Sequence, residues 1–416
     1  MRMLAAYHRL HAFTGYCPGH TQMESAYFKK LTVALQRMQG KLNLLMKTHF
    51  PDSKSCITEV EMAETEQAVY PLKWARSQSG RIFTPDRVTW AVNSFKPYKA
   101  PGGDGIIPAF LQKGLDYLLP ILVRLMRKSY EFGYIPKLWR EVNVIFIPKI
   151  GRGDLQNPRS YRPISLTSFL LKAMEKVLNY HIRREVLVTN PLIPSQYAYQ
   201  KGKSTELALS NLVSKIEKAL SEKEVALCAF MDVQGAFDNT SYPTMEKAAL
   251  DKGISPVAIR WIKAMLRTRR IAIKLGSESI TFMATKGCPQ GGVLSPLLWT
   301  IVMDDLLRLL YKEGVDAQGY ADDLVVIIRG KHESVISDLM QNALNITNSW
   351  CRKKGLNINP KKTSIVPFTN RRKLNLKAPS IDGIITTISS EVKYLGVFLD
   401  HKLTWKTHLE KLSRKD

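Results

Sequence analysis

The chain has 416 residues, 45% apolar and 23% charged, enough to bury a core over two to four domains or one multi-lobed enzyme and without the signature of general disorder. Lys and Arg number 61 against 36 Asp and Glu; the formal charge of +25 calls for a polyanionic partner and makes a small-molecule metabolic enzyme a poor fit. The five cysteines (Cys17, Cys56, Cys228, Cys288, Cys351) form no CxxC pair, no apolar run approaches the ~18 residues of a membrane span, and Met1–Cys17 lacks the order of a signal peptide, so reduced thiols in the nucleus or cytoplasm, with no membrane and no secretion, are expected.

In chain order, Met23–Phe50 is rich in Leu, Gln, Lys and Met without an internal proline and suits one or two helices. His8, His11, Cys17 and His20 match no standard zinc-ligand spacing, and coincidence is the better reading. Pro71–Pro85 carries Ser, Gly and Arg and reads as a connector. Helical periodicity follows at Pro85–Phe95, Ala109–Phe132, Leu166–Val188, Thr205–Ser221, Tyr242–Lys252, Pro256–Arg267, Pro296–Tyr311 and Glu333–Lys354. Short apolar runs at Val142–Pro148, Val225–Met231 and Leu324–Ile328 predict strands, the second of them buried on both faces because its apolar run is unbroken. The centre is expected to be a sheet with helices on one face.

Basic charge is clustered. Arg352–Lys377 holds nine Lys or Arg and no acid, and a second knot gathers Arg267, Arg269, Arg270 and Lys274. Several such knots on one chain favour a surface that tracks phosphates.

Two acidic sites adjoin the apolar runs: Asp232 follows Val225–Met231, and Asp322-Asp323 precedes Leu324–Ile328. Alone, an Asp-Asp pair is a common turn. Beside strands it costs like-charge repulsion, which divalent cations would relieve; Mg²⁺ favours carboxylate oxygens shared with substrate phosphates. The segment Thr285-Lys-Gly-Cys-Pro-Gln-Gly-Gly-Val-Leu-Ser-Pro296 is a glycine-dense turn entering a helix. Its glycines would let backbone approach a substrate, and the helix start would favour a phosphate or sugar.

With these three motifs stand Lys99-Ala-Pro-Gly-Gly-Asp-Gly-Ile106, Phe146-Ile-Pro-Lys149, Tyr161-Arg-Pro-Ile-Ser-Leu166, Gln196-Tyr-Ala-Tyr199 with Lys203-Ser-Thr205, Gly355-Leu-Asn-Ile-Asn-Pro-Lys-Lys-Thr363 and Tyr394-Leu-Gly-Val397. In this order they resemble the reverse transcriptase region of non-LTR (LINE-type) retrotransposons, of the jockey-like lineage, over about Phe83 to Leu412. The resemblance implies an α+β right-hand polymerase: fingers, an antiparallel palm sheet backed by helices, and a truncated thumb. Its domains would be an N-terminal extension or linker at 1–84, fingers at 85–200, palm at 201–239, a fingers/palm insertion at 240–292, palm at 293–390, and primer grip with the start of a thumb at 391–416. Gly103 and Ala198 depart from the family's usual Pro and Gly, and with so short a stretch after Val397 a fragment or truncated copy is the expectation.

By the same resemblance Asp232, Asp322 and Asp323 are catalytic carboxylates that hold two Mg²⁺ ions (Mn²⁺ a possible substitute) with the Val233 carbonyl, and Lys362, or else Lys361, protonates the leaving pyrophosphate. Lys149 and Arg162 grip the dNTP triphosphate, Phe237 crowds the sugar 2′ position, Gln290 and Gly291 lie by the deoxyribose, and Tyr394, Leu395 and Gly396 form the primer grip. The implied activity is RNA-directed DNA polymerisation from dNTPs onto a DNA primer on an RNA template, with oligomeric state left open. The alternative is an inactive fragment that retains RNA binding. A ribonucleotide polymerase would share the aspartates but needs room where Phe237 stands.

Overall fold

The computed structural model describes residues 38–55, 72–149, 154 and 156–413. Its centre is a six-stranded sheet. Strand β4 (Val225–Gln234) lies between β8 (Asp323–Gly330) and β10 (Ser364–Phe368); β7 (Asp316–Tyr320) and β13 (Thr387–Ile388) form the edges, and β9 (Asn357–Ile358) pairs with the end of β4. The β4–β8 pairing is antiparallel and sets Asp232 directly across from Asp323.

Both faces of this sheet are covered, which corrects the expectation of helices on one face. Leu227, Ala229 and Met231 of β4 join Leu324, Val326 and Ile328 of β8 in one core, under α10 (Ser295–Lys312) and α11 (Glu333–Lys353). The alternate residues Ala226, Cys228 and Phe230, with Val325 and Ile327, pack beneath α7 (Thr205–Ser221) and the hairpin of β14 (Glu391–Tyr394) and β15 (Val397–Asp400). An unbroken apolar run requires this arrangement, because a solvent-facing side would leave half of it in water.

A second sheet has the order β1 (Lys54–Ser55), β6 (Glu278–Met283), β5 (Arg270–Leu275), β2 (Glu141–Pro148) and β3 (Tyr161–Leu166). Strand β2 pairs with β5 only over Glu141–Val144; past that point β2 and β3 run on as a two-stranded arm whose Ile145 and Ile147 are exposed. A helix over 38–49, α1, lays Leu42 and Met46 on Val142, Val144, Ile271, Ile273 and Phe282 of this sheet. The upstream part of Met23–Phe50, Cys17, Cys56 and the His8–His20 group lie outside the described residues.

The expected connector is a helix, α2 (Leu72–Ile82). Ala75, Ser79 and Ile82 share its buried face, and Ser79 Oγ donates to Glu131 Oε1 at 2.6 Å on α5 (Leu115–Phe132). Tertiary packing overrides the low helix propensity of its Ser and Gly. The expected helix Ala109–Phe132 is divided at Gly114, and the expected Leu166–Val188 begins at Phe169 as α6 (Phe169–His181), where Ser168 Oγ accepts from the Leu170 N–H. The helices Pro85–Asn93, Tyr242–Asp251 (α8) and Pro256–Arg267 (α9) follow the predicted bounds closely.

The basic knots are partly consumed inside the fold. Arg269 is buried and donates to the Gly287 and Leu266 carbonyls, and Arg267 bonds Glu246. Arg352 pairs with Asp382, Lys354 with Asp305 and Arg371 with Glu333. Among the described residues no helix is long and apolar enough to cross a membrane.

Candidate active site

Strand β4 carries Asp232 out of the apolar core, and the turn at Ala321-Asp322 before β8 brings a second carboxylate beside it. Ala321 holds a left-handed φ of 55°, and the Trp299 indole N–H pins the turn by donating to its carbonyl at 2.8 Å. Buried Val233 ties the strands at this point, its N–H donating to the Asp322 carbonyl at 3.0 Å.

Asp232 and Asp322 line a cavity of about 880 Å³. Burial and the adjacent Asp232 charge raise the Asp322 carboxyl, partly offset by Arg162 across the cavity. Asp323 does not line the cavity, but burial and the charges of Asp322 and Asp232 push it up to about 7. The expected triad is therefore two carboxylates in the cavity and a third beside it. Among the described residues no set of three or more acidic, histidine or cysteine side chains converges as a metal cage. Lys362 also lines the cavity, with Nζ 3.5 Å from Asp232 Oδ2.

A second wall is basic and comes from the end of the β2–β3 arm. Lys149, Arg159 and Arg162 line it. Lys149 Nζ donates to the Arg159 carbonyl at 3.0 Å, and its N–H to the Ser160 carbonyl at 2.8 Å, which closes the arm's tip. Thr48 and His49 of α1 complete this wall; the His49 ring lies 5.4 Å from that of Phe146, with Nε2 2.9 Å from the Pro158 carbonyl. Sequence reasoning missed His49, whose only signal is its place in a helix far upstream of every motif.

Phe237 also lines the cavity, on a short turn after Gly235, with Tyr199 edge-on at 6.4 Å and Trp299 at 6.2 Å between ring centroids. Gln290 lines the cavity next to it, its Nε2 donating to Asp238 Oδ1 at 2.9 Å. Asp238 was not singled out by sequence, although it lies only a few residues past Asp232 and directly after Phe237. Burial pushes its carboxyl up to about 6 against the pull of Gln290, Lys149 and Arg269.

The glycine loop serves the protein's own backbone. Gly287 has φ +74°, and a Cβ there would stand 2.5 Å from the Asp238 carbonyl oxygen and 2.7 Å from that of Phe237. Gly291 has φ +112°, and a Cβ would stand 2.9 Å from the Ser165 carbonyl oxygen. The close approach is thus loop on strand as well as loop on cavity. The expected phosphate position at the start of α10 is filled: buried Glu175 of α6 accepts from the Val293 and Leu294 N–H groups through Oε2 at 2.6 and 2.8 Å. A carboxylate on these free N–H groups satisfies the helix dipole that a phosphate would otherwise satisfy.

The Tyr394-Leu395-Gly396 segment is the turn of the β14–β15 hairpin, with left-handed Leu395 (φ 46°) and Gly396 (φ 89°). Tyr394 is buried, its ring 5.4 Å from that of Phe230 and its hydroxyl accepting from Gln318 Nε2 at 3.2 Å. Tyr394 therefore anchors the hairpin under the sheet and leaves Gly396 exposed at its tip.

Comparison with known proteins gives three kinds of likeness. The family described as reverse transcriptase (RNA-dependent DNA polymerase) matches residues 147–399. The RNA-directed DNA polymerase from mobile element jockey of Drosophila funebris is 31% identical over 336 residues, covering 79% of this chain and 36% of that protein. The probable RNA-directed DNA polymerase from transposon BS of Drosophila melanogaster is 28% identical (79% of this chain, 37% of that one), and the Pol polyprotein from type-1 retrotransposable element R1 of Bradysia coprophila is 25% identical (91% and 36%). The chain spans about a third of the length of these relatives. Among solved structures, an apo telomerase from Candida tropicalis aligns over 65% of this chain and 55% of that one, at 13% identity and a TM-score of 0.44.

Proposed function

The chain belongs to the reverse transcriptase family, and from that premise we propose that it is an RNA-directed DNA polymerase of a non-LTR retrotransposon, adding dNTPs to a DNA primer on an RNA template. The observation that carries the reading is the composition of one cavity: Asp232 and Asp322 from the six-stranded sheet, Lys149 and Arg162 from the end of the second sheet, and Phe237 all line it. A triphosphate laid across it meets cations at its phosphate end and carboxylates at its reacting end.

The donor set fits divalent cations. Two carboxylates held against each other, with a third pushed up to about 7 by burial and their charges, form a site short of positive charge. Two protein carboxylates are also the complement that Mg²⁺ accepts when substrate phosphates and water supply the rest. Asp232 and Asp322, with the Val233 carbonyl and Asp323 beside them, would hold two Mg²⁺ ions, or Mn²⁺ in their place. Bound there, such ions would supply activation of the primer hydroxyl and stabilisation of charge on the leaving oxygen.

The chain's own groups do the remainder. Arg162 and Lys149 bind and orient the triphosphate, Arg by its two-pronged fork and Lys as a point charge. Lys362, 3.5 Å from Asp232, would supply the proton for the leaving pyrophosphate. Phe237, braced by Tyr199 and Trp299, excludes a 2′-hydroxyl by contact. Gln290 and Gly291 border the sugar, and the exposed tip at Gly396 offers backbone to a primer strand. The fingers comprise 85–200 with 240–292, the palm 201–239 with 293–390, and the primer grip 391–416.

Primer extension on an RNA template, with all four dNTPs and with or without Mg²⁺, tests the reading. Templated, metal-dependent extension supports it; salt-sensitive RNA binding with no incorporation overturns it in favour of a binding module.

A further inference from the structure

We propose that Asp238 is a positioning residue: it holds the Gln290 carboxamide with its nitrogen inward, leaving the oxygen free to accept a hydrogen bond from the 3′-hydroxyl of an incoming deoxynucleotide. This rests on reading the cavity as a nucleotide site.

Three observations converge. First, the Gln290 amide nitrogen is committed to Asp238 Oδ1 at 2.9 Å, while its amide oxygen has no partner among the described residues. An amide can be built either way round, but an ionised carboxylate only accepts, so it selects the orientation that turns NH₂ toward itself. Asn in the same place would accept either orientation.

Second, the acid is retained at a cost. Asp238 is largely buried, Gln290 provides its one side-chain hydrogen bond among the described residues, and burial raises its carboxyl despite facing Lys149 and Arg269, with the Cys288 thiol also nearby. A neutral side chain would fill the space more cheaply. The Cys288 thiol, pushed by burial up to about 12, stays protonated and adds no competing charge.

Third, the two segments form one unit. The Cys288 N–H donates to the Phe237 carbonyl at 2.7 Å and the Gly287 N–H to the Thr240 carbonyl at 2.8 Å. Gly287 itself fits only without a Cβ against the Phe237 and Asp238 carbonyls. The ring that meets the sugar 2′ position and the amide that meets the 3′ position are thereby held in fixed relation, and Asp238 sets the polarity of the second.

The test is single-nucleotide incorporation by the full chain on an RNA template and DNA primer, comparing dTTP with 2′,3′-dideoxy-TTP. The wild-type chain is expected to favour dTTP in kcat/KM. Asp238→Asn should lower that preference by roughly tenfold, the worth of one hydrogen bond, through a higher KM for dTTP with the dideoxy kinetics unchanged. Gln290→Met, which keeps Asp238 in place, should lower it equally, and the double variant no further. A merely structural Asp238 would lower both nucleotides together. An unchanged preference in a folded Asp238→Asn, or in Gln290→Met should the first variant not fold, overturns the assignment and leaves the polymerase reading standing. A wild-type chain that incorporates neither nucleotide overturns both.

Discussion

The two walls of the cavity are built in opposite ways. The carboxylate wall sits at the end of the most deeply buried strands: β4 is buried from Val225 to Met231, and its acids emerge directly from that core. The basic wall hangs on a two-stranded arm whose Ile145 and Ile147 face solvent, closed by Lys149 and by His49 from an upstream helix. Like charges must be forced together and need a rigid seat, whereas cations that embrace a mobile triphosphate can sit on a limb supported along one edge. The acidic wall should therefore govern the chemical step and the basic wall should govern binding.

The sharpest way to break that contrast is a pair of variants. Asp322→Asn should reduce kcat for primer extension by more than about a hundredfold, since on the proposed mechanism it would remove a group that holds the catalytic cations. Arg162→Ala should instead raise the KM for dNTP by about tenfold or more, with a smaller change in kcat, as expected for a lost charge-assisted hydrogen bond of ~1.5–3 kcal/mol. If both variants act on KM alone, the division of labour is wrong.

The joint between the walls is the glycine loop. Gly287→Ala should destabilise the chain by about 2 kcal/mol or more, combining left-handed strain with a 2.5 Å backbone clash, whereas Gly253→Ala, also left-handed at φ +81° but with nothing within 4 Å, should cost only about 1 kcal/mol. Chemical denaturation of the two variants measures the difference. Phe237→Ala should raise ribonucleotide incorporation relative to deoxynucleotide by about tenfold, read from kcat/KM with paired substrates. No rise would mean that the Phe237 ring is only a core residue.

The smallest expected effect is the pH dependence of stability. The folded Asp323 carboxyl is raised to about 7, above its unfolded value near about 4. Between these values the folded state holds a proton that the unfolded state has lost, so without divalent cations stability should fall as pH rises from about 4 to about 7, then level off. Asp323→Asn should flatten that part of the profile in thermal melts across the range, and an unchanged slope would assign it to other groups.

The acidic wall was legible in the sequence because the unbroken apolar run Val225–Met231, too short for a core helix and ending directly at Asp232, reads as a strand buried on both faces. The basic wall was legible only in part. Lys149 and Arg162 stood out through their motifs, but His49 reaches the cavity by the docking of α1 on the far sheet, which no local pattern encodes. Glu175 looks like any helical Glu until its partners at the start of α10 are seen, and it displaces the phosphate that the loop pattern alone implied. Leu72–Ile82 was obscured by Ser and Gly, whose local preference yields to the burial of Ala75 and Ile82. Arg269 shows the same limit from the other side: within a basic cluster its charge reads as surface, yet its guanidinium is spent on the loop's carbonyls.

The claim on which the rest depends is that Asp232 and Asp322 together hold divalent cations. Titrating Mn²⁺ into the full chain with an RNA–DNA primer duplex and dNTP, with free Mn²⁺ followed by electron paramagnetic resonance, measures this directly. The account predicts saturable binding by the wild-type chain that weakens at least about tenfold in both Asp232→Asn and Asp322→Asn. Equal Mn²⁺ affinity in wild type and both variants would contradict it.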